Sequence, residues 1–67
     1  MGEREFVIKV DGRGVSGDAG SILVYRLGDL ISLVATVEKN GDTEVILDPA
    51  ATSSLVEALR EIAAGKQ

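Results

Sequence analysis

The sequence contains no cysteine and no histidine, and each absence removes a class of chemistry. Without cysteine, disulfide bonds, Cys-ligated zinc, iron–sulfur clusters and thiol catalysis are excluded. Without histidine, the commonest general base and the commonest transition-metal ligand are missing. We therefore expect no enzymatic activity, no cofactor and no bound metal ion.

Positive charge is also scarce. The chain has seven Lys and Arg residues and eleven Asp and Glu residues, so its net charge is −4. The cations are scattered singly along the chain, so no basic stripe exists to neutralise phosphates. An acidic protein repels nucleic acid and anionic lipid. We expect neither a membrane nor, as the first choice, a nucleic acid as partner.

Long apolar runs are missing as well. Residues 1–10 (MGEREFVIKV) lack the apolar segment of a signal peptide, and the longest uncharged apolar-rich run, residues 30–37, is far too short to span a bilayer. The absence of cysteine is compatible with a reducing compartment, so we expect a cytoplasmic protein. The length allows one domain, residues 1–67. The hydrophobic core of so short a chain gives only marginal stability unless oligomerisation adds to it.

The pattern of apolar residues predicts an α+β fold, a small antiparallel meander of three or four strands followed by one C-terminal helix on one sheet face. Phe6, Ile8 and Val10 alternate with other residues and should share one side of the first strand. We predict strands at about 5–11, 21–27, 30–38 and 42–48, a helix at about 49–64, and a glycine-rich loop at 12–20.

The helix carries clear end signals. Asp48 suits the N-cap, Pro49 suits the first helical position, and Gly65 is a typical stop. The large apolar residues of the helix lie on one stripe, which we expect to pack on the sheet: Leu55, Leu59 and Ile62.

The last hairpin can close in two registers. A two-residue loop pairs Val37 with Glu44, whereas a three-residue loop at residues 39–41, with Gly41 left-handed, pairs Val37 with Thr43. The second register separates apolar from polar side chains, so we predict it.

This register gives the sheet two apolar faces. The helix-side face carries the expected core: Ile22, Val24, Ile31, Leu33, Ala35, Val37, Val45 and Leu47. The far face carries a second apolar group, which we predict to be an interface: Leu23, Tyr25, Leu27, Leu30, Val34 and Ile46. A chain of this length cannot easily cover both faces, so we expect a homodimer or higher assembly, built through the far face or an exposed edge strand, and binding to another protein.

Residues 12–17 match the pattern G-x-G-x-x-G after a predicted strand. A dinucleotide-binding loop must be followed by a helix, and here another strand is predicted, so the segment is read as a connector. As an alternative, its exposed amides and side chains form a candidate ligand loop for an anion or a peptide, with Arg13, Gly14, Ser16 and Gly17.

Residues 45–62 (VILDPAATSSLVEALREI) combine a strand, a proline and a leucine-rich helix. This ending resembles in outline that of the positive-cofactor type of single-stranded-DNA-binding coactivators, which also have four strands and a helix. The resemblance implies a nucleic-acid-binding regulator that uses the sheet face, where Tyr25 could stack a base. Those proteins present basic and aromatic residues on the sheet, and this chain is acidic. A non-catalytic, self-associating interaction or regulatory module is therefore the first hypothesis, and the DNA-binding regulator is the alternative.

Overall fold

The computed structural model describes residues 3–65, which form four strands and one helix. The elements are β1 (Glu5–Arg13), β2 (Ala19–Leu27), β3 (Leu30–Val37), β4 (Gly41–Leu47) and α1 (Pro49–Ala63). The strands make one antiparallel sheet in the order β1-β2-β3-β4, so the neighbour of the first strand is β2. The predicted α+β fold is confirmed, with four strands rather than three.

The predicted glycine-rich loop at 12–20 is wrong in extent, because β1 and β2 continue into it and leave a connection of residues 14–18. Gly12 pairs with Gly20 in the ladder. A Cβ atom on Gly20 would lie 3.0 Å from the carbonyl oxygen of Thr36, so the strand needs glycine there for close packing. The other boundaries differ from the prediction by at most one residue, with α1 ending at Ala63.

β1 contains a bulge that the alternating pattern does not predict. The ladder shifts between Phe6 and Ile8, with Val7 as the extra residue. Phe6 opposes Tyr25 and lies on the far face, whereas Ile8 and Val10 extend the helix-side face. The prediction that Phe6, Ile8 and Val10 share a face is therefore wrong, because one inserted residue reverses the alternation.

The β3–β4 hairpin closes in a register that differs from both candidates. Val37 pairs with Gly41, so the loop is residues 38–40. Lys39 takes a left-handed conformation (φ 77°), Gly41 does the same (φ 84°), and the Asn40 amide donates to the Val37 carbonyl at 2.9 Å. The register lies two residues from the predicted one, and since strand side chains repeat every two residues, the membership of both faces is unchanged.

The helix ends are as predicted. An Asp48 carboxylate oxygen accepts a hydrogen bond from the Ala51 amide at 2.8 Å, and Pro49 occupies the first turn. Gly65 follows the helix in the left-handed conformation (φ 80°). Within residues 3–65, no helix has the length and apolar character needed to cross a lipid bilayer.

α1 packs against β3 and β4, but its apolar stripe is not buried. Leu55 is 37 % exposed, Leu59 55 % and Ile62 64 %. Among residues 3–65 no hydrophobic side chain is buried, and Ser32 is the one buried side chain. The expectation that the stripe completes a core is wrong for the single chain, because α1 makes only limited contact with β3 and β4 and leaves Leu59 and Ile62 mostly in solvent.

The overall shape reflects this lack of cover. The molecule measures 34 × 34 × 15 Å and its radius of gyration is 13.2 Å, against about 11 Å for a compact domain of this length. Its accessible surface is 5235 Å², about 1,200 Å² more than that of a typical monomer of the same mass. The chain is a flat sheet with a partly attached helix.

The hairpin geometry predicts that Lys39→Gly stabilises the fold by about 0.5–1 kcal/mol. Glycine adopts the left-handed conformation without the steric cost that a Cβ atom brings. The greater conformational entropy of glycine in the unfolded chain cancels only part of this gain. Denaturant unfolding at fixed protein concentration measures the change. Lys39→Ala is the matched control and should show no gain, since alanine keeps the Cβ atom. An equal gain in both variants would contradict the turn conformation.

Candidate functional site

The structure brings the six predicted interface residues together on the far face: Leu23, Tyr25, Leu27, Leu30, Val34 and Ile46. Ser32 lies at their centre, between Tyr25 on β2 and Ile46 on β4. Ile46 is 51 % exposed, and the other five are half-buried. Their common placement is confirmed, and their role as an interface stays a prediction.

A polar cluster covers the centre of the far face. Arg4 reaches across the sheet, and its Nη1 atom lies 2.8 Å from Oε2 of Glu44. The Ser32 hydroxyl donates a hydrogen bond to the same Glu44 oxygen. The sequence does not predict this cluster, because Arg4 and Glu44 are 40 residues apart and meet only through the order of the strands. Ser32 is thus fully buried on this face, with its hydroxyl bonded to a carboxylate that also binds Arg4.

Tyr25 is engaged on its ring rather than free. The Arg4 guanidinium carbon lies 4.7 Å from the Tyr25 ring centroid. Phe6 contacts the same ring edge-to-face, with centroids 5.7 Å apart. A base could stack on Tyr25 only by displacing Arg4, so this geometry does not favour the nucleic-acid alternative.

The far face has apolar residues around a polar centre, and further charged groups at the glycine end. Lys9 lies 3.7 Å from Asp11, and the Ser21 hydroxyl donates to Asp11 at 2.9 Å. A fully apolar centre surrounded by polar groups is the usual anatomy of a protein–protein interface. The far face differs from that anatomy, because Ser32 and the Arg4–Glu44 bridge place polar groups among its apolar residues.

The helix-side face is the more exposed of the two. Ile8, Val10, Ile22 and Val45 are each between 44 % and 52 % exposed there. The charged residues that the four strands place on this face are Glu5 and Arg26, which pair with each other at one end of the sheet. The middle of the face is therefore apolar and carries no charge that burial would desolvate.

The candidate ligand loop uses part of its hydrogen-bonding capacity internally. The Gly14 amide donates to Asp18 at 2.8 Å, and the Gly17 amide donates to Gly14 at 2.9 Å. The Arg13 guanidinium contacts the Gly17 carbonyl at 3.4 Å, while Ser16 is exposed. Strand β2 follows the loop, so no helix N-terminus is aimed at it, as a dinucleotide site would require. Binding at the loop stays a prediction.

Comparison of the chain with protein-family models, curated proteins and solved structures found no match. Within the described residues, no three acidic side chains come together as a metal site would need.

The polar cluster predicts that Glu44→Ala destabilises the protein by about 1–3 kcal/mol, because it leaves the buried Ser32 hydroxyl without its acceptor. Thermal and denaturant unfolding measure the loss. The double variant Ser32→Ala with Glu44→Ala removes the orphaned hydroxyl and should recover part of the loss. A double variant no more stable than Glu44→Ala would show that the Ser32 hydrogen bond contributes nothing.

Proposed function

We propose that this protein is a non-catalytic, self-associating interaction or regulatory module that forms a homodimer or higher assembly and also binds another protein. The observation that carries the proposal is that residues 3–65 bury no hydrophobic side chain, although apolar residues cover both faces of the sheet. Exposed apolar surface of this extent is typical of a protein–protein contact.

The energetics of folding point in the same direction. Ordering the backbone costs about 1–2 kcal/mol per residue, and burial of apolar surface is the main term that offsets it. Each large apolar side chain contributes about 1.5–3 kcal/mol only when it is fully buried. Since Leu59 and Ile62 are more than half exposed in the single chain, association has to supply much of the missing burial.

The nucleic-acid alternative gains no support from the far face. The net charge is −4, and the ring of Tyr25 is already in contact with Arg4 and Phe6.

The absence of cysteine agrees with a cytoplasmic location, which we include in the proposal.

The proposal is tested by the native mass across a dilution series, measured by light scattering and sedimentation. We expect a mass of at least twice the 7.0 kDa of one chain. The melting temperature should rise with protein concentration, because folding and association are coupled. A 7.0 kDa species that unfolds cooperatively at a concentration-independent temperature would contradict the proposal.

Binding to single-stranded DNA separates the two functions directly. We expect no retention on immobilised single-stranded DNA at low salt, because the acidic field opposes phosphate binding. Retention that weakens steeply as salt rises would instead support the DNA-binding regulator.

A further inference from the structure

Much of the helix-side face lies bare, on β4 (Val45, 52 % exposed) as well as on β1 and β2. α1 packs against β3 and β4, while Ile8, Val10 and Ile22, on β1 and β2, stay about half exposed. Four strands spaced about 4.8 Å apart need two helices, each about 10 Å wide, side by side to cover one face. The described residues supply one helix, so one helix is missing from this face.

The bare region is shaped to receive side chains. One apolar depression of about 320 Å³ lies between α1 and the sheet, against Leu55. A second, of about 280 Å³, lies towards the end where Gly12 and Gly20 face each other without side chains. Ile22 and Ala35 line both depressions, so the two adjoin on one apolar surface.

The same chain carries the side chains that would fill such depressions. Val56, Leu59 and Ile62 of α1 are 42 %, 55 % and 64 % exposed. The spacing of three residues places them on neighbouring turns of the helix. The molecule thus presents an uncovered apolar helix stripe and an uncovered apolar sheet face, each of which is the usual partner of the other.

The surface area fits a contact between two copies. The chain exposes about 1,200 Å² more than a monomer of its mass, and a standard interface buries about 800 Å² on each partner. One contact over the helix-side face would remove most of this excess. Glu5 and Arg26, the charged strand residues of that face, already pair at its end, so burial of the centre desolvates no lone charge.

We propose that the chain self-associates through the helix-side face, and that the α1 helix of a second copy covers β1 and β2. In a two-fold symmetric dimer, the helix of each copy covers the sheet of the other. One symmetric contact then covers both helix stripes and both sheet faces. The inference rests on the self-association proposed above and specifies its surface. The far face then stays outward, and its six apolar residues serve the other protein.

Two neighbouring residues of β3 distinguish the faces. Ala35 lies on the helix-side face and is exposed in the single chain, whereas Val34 lies on the far face. Ala35→Lys should weaken self-association about 100-fold or more, because it places an unpaired charge in the contact. Val34→Lys should leave the native mass of the assembly unchanged. Sedimentation equilibrium over a dilution series measures both.

A second pair of variants guards against a local folding defect. A Cβ atom at Gly12 would meet no other atom within 4 Å in the single chain, so the isolated fold has open space at the position of Gly12→Leu. The leucine should nevertheless weaken self-association by filling the depression. Ala19→Leu adds the same side chain at the same end of the sheet, on the far face, and should have no such effect.

The outcomes separate this inference from the proposed function. Loss of assembly in Ala35→Lys and Gly12→Leu, with Val34→Lys and Ala19→Leu still assembled, supports the helix-side contact. Dissociation by Val34→Lys alone would overturn it and make the far face the self-association surface, while the proposed function would stand. A wild-type protein that is monomeric at every concentration would refute both.

Discussion

A four-stranded sheet is about twice as wide as one helix, and the rest of this structure depends on that mismatch. α1 contacts β3 and β4 and leaves Ile8, Val10, Ile22 and Val45 in contact with solvent. Leu59 and Ile62, towards the end of the helix, are more than half exposed as well. The missing layer therefore reflects both the width of the sheet and the incomplete contact of the helix with it.

The two faces of the sheet differ in how their apolar residues are shielded from solvent. On the far face, the long side chain of Arg4 crosses Tyr25 to reach Glu44, which also accepts a hydrogen bond from the buried Ser32. The exposed ion pair contributes little stability by itself, since solvent screens it. Its effect is to cover apolar neighbours with the arginine stem. The helix-side face has no such cover, which makes it the stronger candidate for permanent burial.

The glycines near the first hairpin have structural roles that their sequence pattern does not indicate. The G-x-G-x-x-G pattern suggests a phosphate loop, yet Gly12 and Gly20 belong to strands and pair with each other. Gly20 allows close approach to Thr36, and the missing side chain of Gly12 leaves a depression on the helix-side face. In this chain the glycines shape a surface for packing, and a strand rather than a helix follows them.

The sequence by itself determined the order and type of the elements, both ends of the helix and the membership of each face in β2, β3 and β4. These depend on local signals: the Asp48 cap, the period of two, and Gly41 in the left-handed conformation. The tertiary structure decided the bulge at Val7, the β3–β4 register and the Arg4–Glu44 bridge. A bulge or a shifted register changes the energy of the local backbone very little. Packing between side chains on neighbouring strands therefore decides which arrangement forms. The extent of helix cover is likewise a property of the assembled layers, which no stretch of sequence encodes locally.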